Sequence, residues 1–144
     1  MRLDFALVIG VILLVDQCTK LLASAYLNYG EPVSLLPFLS FTLLHNTGAA
    51  FSFLADAGGW QQWLFLVLAL GVSAYASWSL RDSDLCRWVQ AGFVLLIPGA
   101  IGNAIDRVAF GYVVDFVHFH WRGWSFPAFN VADTSITLAA SCLL

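Results

Sequence analysis

Three aspartates, Asp106, Asp115 and Asp133, lie within or beside one strongly apolar stretch, IPGAIGNAIDRVAFGYVVDFVHFHWRGWSFPAFNVAD at 97–133. An ionised carboxylate in apolar surroundings is costly, so an acid kept there marks a functional position. Two carboxyl groups brought together raise one another's pKa and share a proton. Such a pair can activate water with one member and protonate a substrate with the other. Asp115 and Asp133 are the candidates. Asp133 follows Asn130 by three residues, the N-cap to N3 spacing, and precedes the apolar run ITLAASCLL. Complementing a helix dipole would explain an acid there without any chemistry. It would not explain Asp115, which sits in the alternating segment GYVVDFVHFHW. On a strand, Val113, Asp115, Val117 and Phe119 share one face, and Val114, Phe116, His118 and His120 share the other.

Further polar residues interrupt apolar sequence. Asp16 and Lys20, four apart on a helix, form an ion pair or shape a nearby site; either role turns that face toward protein. Asn103, Asp106 and Arg107 fall on one helical side by their spacing, with Gly99 and Gly102 allowing close approach of another backbone. Two readings stand for them. One is packing with a local Asp106–Arg107 pair. The other has Asn103 and Arg107 donating to the carbonyl groups of a bound peptide. Metal chemistry is not expected: Asp115 faces away from His118 and His120, and no HExxH or cysteine-rich spacing accompanies them. Nucleophilic serine chemistry lacks a GxSxG motif or a paired base.

The elements that must position these residues are membrane spans. The chain has 144 residues, 60% hydrophobic and 10% charged, with mean hydropathy +0.83, whereas soluble domains carry about 25% charged residues. A single integral-membrane domain over 1–144 is expected, mainly α, with four transmembrane helices, a small extracytoplasmic β element and a membrane-surface segment. The spans are placed at about 3–25, 60–80, 88–105 and 130–144; crossing the hydrocarbon takes roughly 20 residues, and the last span is expected to continue past Leu144. A cleaved signal peptide is the rival reading of the start, with Arg2, Phe5–Val15 and Ala23-Ser24-Ala25 as its parts. Asp16, Gln17 and Lys20 argue against it, and Asp16 and Gln17 are too large to precede a lipid-modified Cys18. Cys18, Cys86 and Cys142 lack disulfide or metal spacing and are expected to be buried thiols.

The six basic residues divide evenly: Arg2, Arg81 and Arg87 to the cytoplasm, Lys20, Arg107 and Arg122 outside. The short connection RDSDLCR between spans two and three then sets the orientation, with the tryptophans near span ends. The net charge of -3 suggests no nucleic-acid partner. Outside lie Leu27–Gly59, apolar and β-prone, and Ala109–Phe129.

Five segments together resemble lipoprotein signal peptidase, the signal peptidase II family of membrane aspartyl proteases: VDQCTK at 15–20, HNTGAAFSFL at 45–54, GAIGNAIDR at 99–107, GYVVDF at 111–116 and FNVAD at 129–133. Their order and spacing match from the first span to the fourth. Cys18 departs from the small residue many members carry. The resemblance implies Asp115 and Asp133 as the catalytic pair. It implies Asn46, Asn103, Arg107 and Asn130 as substrate-binding residues, supported by Asp16, Lys20, Gly48 and Asp106. It implies no cofactor and no metal. The implied substrates are diacylglyceryl-modified prolipoproteins, cut just before the modified cysteine at the outer face of the bacterial inner membrane by a monomer in contact with membrane lipids. The competing classes are a four-span small multidrug-type transporter, which needs a mid-span acid, and a non-enzymatic lipid-binding subunit.

Overall fold

The computed structural model describes residues 3–48, 58–82 and 84–144. In chain order it comprises α1 (Leu3–Tyr26), β1 (Val33–Leu36), β2 (Leu39–Asn46), α2 (Trp60–Ser79), α3 (Arg87–Phe110), β3 (Val113–Trp121), β4 (Trp124–Ser125) and α4 (Val131–Leu143). Helices α1, α2 and α3 are long and apolar enough to cross a membrane; α4 is apolar but shorter. Its 13 residues rise about 20 Å at ~1.5 Å each.

The burial of α1 is inverted relative to a soluble helix. Its buried residues are Asp16, Lys20 and Ala23, while Leu7, Leu14 and Leu21 are each more than 60% exposed. Leucines turned outward suit lipid, and the charged face turns toward protein. Cys18 falls on the outward side and is exposed, as is Cys86, while Cys142 is half-buried. The expectation of buried thiols is therefore corrected: an apolar helix in lipid has no need to bury every apolar residue.

Helix α3 is the central element, with 56% of its apolar window buried against 11% for α1 and α2. Pro98 lies inside it without ending it; Ser135 Oγ donates to the Leu95 carbonyl at 2.7 Å in the neighbouring turn, the kind of side-chain bond that helps membrane helices accommodate proline. Two glycines of α3 set its approach to its neighbours. A Cβ on Gly99 would lie 2.7 Å from the Ala132 carbonyl oxygen of α4, and one on Gly102 would lie 2.5 Å from Asp16 Oδ2 of α1. We expect Gly102→Ala to force α1 from α3 and to cost about 1–3 kcal/mol. Thermal unfolding in bicelles, with Gly71→Ala as an open-space control, checks this; equal losses would refute the close-approach argument.

The third helix runs five residues beyond the expected limit of 105. Nothing in Asp106–Phe110 breaks it, and Gly111 (φ 81) supplies the left-handed C-cap, its N–H bonding the Arg107 carbonyl. Asp106 and Arg107 thus stand on regular helix, in fixed directions.

The strands form one antiparallel sheet of order β1-β2-β3-β4. Leu44 lies opposite Asp115 and Asn46 opposite Val113, with an irregularity between Phe41 and Leu44. Leu43, Val114 and Phe116 bury together with Ala23, seating the sheet on the end of α1. A second cluster, Ala76, Leu80, Phe93, Val94 and Ile97, joins α2 to α3. The expected β element is present in Leu27–Gly59 and continues into Val113–Trp121. Residues 49–57, on which much of the expected membrane-surface segment and part of HNTGAAFSFL fall, lie outside the described residues.

Candidate active site

Asp115 and Asp133 reach one site by different routes. Asp115 sits on β3, where strand alternation aims it at the helices, and it is 3% exposed. Asp133 stands in the first turn of α4, half-buried. Asn130 caps that helix, its Oδ1 accepting from the Asp133 backbone N–H at 2.8 Å, as the three-residue spacing predicts.

Two asparagine amides link the acids. Asn130 Nδ2 donates to Asp115 Oδ1 at 2.7 Å and lies 3.3 Å from Asn103 Oδ1 and 3.1 Å from the Val114 carbonyl. Asn103 Nδ2 donates to Asp133 Oδ1 at 2.7 Å. Asn46 Nδ2 donates to Asp115 Oδ2 at 3.2 Å. The four groups Asp115, Asn130, Asn103 and Asp133 therefore form a connected line. Burial, then the Asp133 charge, pushes the Asp115 pKa up to about 7, against the opposing hydrogen bonds of Asn46 and Asn130 and the charge of Lys20. Asp115 thus holds a proton near neutral pH, which a lone exposed aspartate does not.

Beneath this line lies a buried ionic cluster. Lys20 Nζ sits 2.9 Å from Asp16 Oδ2 and 3.1 Å from Asp106 Oδ2, and donates to Asn103 Oδ1 at 3.0 Å. Asp16 Oδ1 accepts from the Ala132 N–H at 2.8 Å and Asp106 Oδ2 from the Val114 N–H at 3.0 Å. Each carboxylate therefore pins the backbone one residue before a dyad member. Lys20 orients Asn103: with its oxygen taken by the ammonium, the amide presents its NH2 to Asp133.

The expected Asp106–Arg107 pair is corrected. Adjacent helical residues do not face each other, and Asp106 turns to Lys20 while Arg107 turns to carbonyl groups. Arg107 Nη2 donates to the Gly48 carbonyl at 2.9 Å and Nη1 to the Asn103 carbonyl at 3.3 Å, with the guanidinium 5.0 Å from the Phe65 ring centroid. Its buried Nε has no hydrogen-bond partner among the described residues. Gly48 also donates its N–H to Asn46 Oδ1 at 2.9 Å. All ten residues singled out from the sequence, Asp16, Lys20, Asn46, Gly48, Asn103, Asp106, Arg107, Asp115, Asn130 and Asp133, enter this one connected network.

Gln17 was not singled out, yet its Nε2 lies 3.1 Å from Asp16 Oδ2, 3.1 Å from Asp106 Oδ1 and 3.2 Å from the Gly102 carbonyl, stitching α1 to α3. Its signal was an amide in an otherwise apolar helix, beside an acid. His118 and His120 pair with hydroxyls instead: Ser40 Oγ is 2.7 Å from His120 Nε2, and Ser125 Oγ is 2.6 Å from His118 Nε2.

Spanning helices, a short sheet and an acid pair at their junction, Asp115 buried and Asp133 half-buried, suit a membrane enzyme, and solved structures agree. Two bacterial membrane enzymes solved by the in meso method align at TM-scores of 0.85 and 0.81, each 29% identical, over 97% of this chain and 84% and 89% of theirs. The family model described as signal peptidase (SPase) II matches residues 8–144, and the chain belongs to that family. Among its relatives are the lipoprotein signal peptidases of Acinetobacter baylyi, 51% identical over 92% of this chain and 74% of the relative, and Shewanella woodyi, 46% identical over 93% and 77%. Membership makes the chain a membrane-bound signal peptidase.

Proposed function

We propose that the chain is an aspartic endopeptidase of the bacterial cytoplasmic membrane that removes signal peptides from prolipoproteins, cutting before the diacylglyceryl-modified cysteine on the extracytoplasmic side. The observation that carries the aspartic chemistry is the line from Asp115 through Asn130 and Asn103 to Asp133. The membrane setting fits a substrate whose acyl chains stay in lipid while its scissile amide meets the dyad near the helix ends.

Asp133, at a helix N-terminus that favours its anion, acts as general base and takes a proton from water. The water oxygen adds to the scissile carbonyl carbon as protonated Asp115 donates to the carbonyl oxygen. The tetrahedral intermediate then collapses. The C–N bond breaks as the cysteine nitrogen takes the proton held by Asp133, a hydroxyl of the intermediate returns its proton to Asp115, and the signal peptide leaves with a new carboxyl terminus. No covalent enzyme intermediate forms. Arg107, whose Nη2 already holds the Gly48 carbonyl and whose Nε has no partner among the described residues, holds a substrate carbonyl in register; Asn46 serves the same pocket.

The test is cleavage by purified enzyme in bicelles of a diacylglyceryl-cysteine precursor beside its unlipidated twin. Cleavage of the first alone is expected, and equal cleavage of both would remove the lipid from the recognition scheme. Because the Asp115 pKa is raised to about 7, turnover is expected to fall as pH rises through that region, where the acid loses its proton. The two carboxyls titrate as a unit, so this limb belongs to the pair. A rate that stays flat from pH 6 to 9 would refute the assignment of a protonated dyad member.

A further inference from the structure

Asp115 takes one of its hydrogen bonds from Asn46, the final residue of β2, at 3.2 Å. Regular pairing with β3 ends there, at Asn46 opposite Val113, and is already irregular between Phe41 and Leu44. An element's end opens locally at low cost unless side chains hold it. Alternation sets Asn46 and Asp115 on one face of the sheet and His45 and Val114 on the other. On that second face His45 joins a column of rings. It lies against Tyr112 with centroids 3.8 Å and planes 16° apart, and against Tyr29 at 4.8 Å. Tyr112 stacks in turn on Phe110 at 5.9 Å.

The rings come from three segments. Tyr29 belongs to the α1–β1 connection, which is bound to β2 by the Gly30 N–H donating to the Leu43 carbonyl at 2.9 Å. His45 belongs to β2. Phe110 and Tyr112 flank Gly111, the left-handed residue that turns α3 into β3. Tyr112 is three residues before Asp115, so the column ties the strand end that carries Asn46 to the turn that delivers Asp115. Burial lowers the His45 pKa, which favours the neutral imidazole in the stack.

We propose that His45 is a positioning residue for the dyad: stacked on Tyr112, it fixes the end of β2 so that the Asn46 amide meets Asp115. The proposal rests on the reading of Asp115 as the catalytic acid. His45 acts through Asn46 and needs only a flat ring, not a titrating nitrogen.

The experiment measures kcat, KM and the pH–rate profile of the full chain in bicelles on a diacylglyceryl-cysteine precursor. The variants are His45→Ala, His45→Phe, Tyr112→Leu, Asn46→Ala and the His45→Ala/Asn46→Ala double. His45→Ala is expected to lower kcat by up to roughly tenfold, the scale of one lost hydrogen bond, with KM little changed. Its basic limb moves to higher pH, because the Asn46 bond lowers the Asp115 pKa. Tyr112→Leu removes the stack from the other side and is expected to do the same. His45→Phe restores rate and profile. With Asn46 already alanine, adding His45→Ala lowers kcat no further, the non-additivity of residues acting through one contact. Parental kcat in His45→Ala and Tyr112→Leu, additive losses in the double variant, or failure of phenylalanine to rescue would each overturn the proposal. Asp115→Asn separates the two levels. Full turnover by that variant sinks the reading of Asp115 itself, whereas an inactive Asp115→Asn beside a fully active His45→Ala sinks the positioning role alone.

Discussion

Asp115→Asn and Asp133→Asn are each expected to lower kcat by about 10³-fold or more, within or above the usual range for loss of a general acid or base, while the protein still folds and inserts. Folding survives because the amide keeps the polar geometry: at 115 it can still accept from Asn130 Nδ2, and at 133 from Asn103 Nδ2. The rate does not survive, because an amide can neither take a proton from water nor deliver one to a leaving group. Stability separates this from a folding defect. The Asp115 pKa stands at about 7 in the fold against an ordinary 3.8, so the folded state binds this proton more tightly than the unfolded chain does. That contribution is complete below about pH 4 and is lost as pH climbs through about 7. Asparagine carries no charge to bury, so Asp115→Asn is expected to unfold at a higher temperature than the parent at pH 9, by an amount that shrinks as pH falls. Thermal unfolding in bicelles across pH 5–9, beside single-turnover cleavage, checks both halves. A variant that is inactive and also less stable at high pH would show that Asp115 is retained for structure; one that turns over normally would remove it from the chemistry.

How far the sequence discloses this site depends on which physics is local. The spans are legible because lipid demands long apolar runs, and α1 and α2 fall within a residue or two of their expected limits. The strand alternation around Asp115 and the Asn130–Asp133 cap are also local, and both stand as expected. The long-range partners are not local. Lys20 reaches Asn103 across 83 positions, and no spacing rule tells an ammonium on α1 that its second carboxylate is Asp106 rather than Asp16 alone. The misplaced end of α3 has the same origin. A charged pair at 106–107 reads as a span boundary in one dimension, but in three dimensions it is the seam where α3 meets α1 and the sheet. Gln17 was passed over because an amide beside an acid carries no motif; its meaning lies in the Gly102 carbonyl and Asp106 across the helix interface. The residues that the resemblance to a known family singled out do meet in one network, since matched segments import the long-range arrangement that periodicity lacks.

Lys20→Met tests whether the buried cluster is scaffold alone or also sets the dyad. Methionine approximates the length of the lysine side chain and removes its charge. The substitution leaves Asp16 and Asp106, 0% and 1% exposed, without the cation that lies 2.9 and 3.1 Å from them. Stranding buried charge in this way costs about 3–5 kcal/mol, so a large drop in unfolding temperature is expected. A second effect is separate. Asn103 Oδ1 loses its charged donor and keeps only Asn130 Nδ2 at 3.3 Å, so the amide is held less firmly against turning its oxygen toward Asp133 Oδ1, where two acceptors repel and the anion loses a donor. Turnover by the folded fraction is therefore expected to fall by roughly tenfold or more, on the scale of a charge-assisted hydrogen bond. The two effects part company when the charges are rebalanced. Adding Asp16→Asn and Asp106→Asn to Lys20→Met gives a neutral cluster that can still accept from the Ala132 and Val114 N–H groups, so stability should largely return. Asn103 Oδ1 then keeps only the longer, uncharged contact from Asn130 Nδ2 at 3.3 Å, so the rate should stay low. Recovery of both stability and rate would make Lys20 a counter-charge and nothing more. Recovery of stability alone would assign the lysine a reach of two hydrogen bonds, through Asn103, to the Asp133 carboxylate.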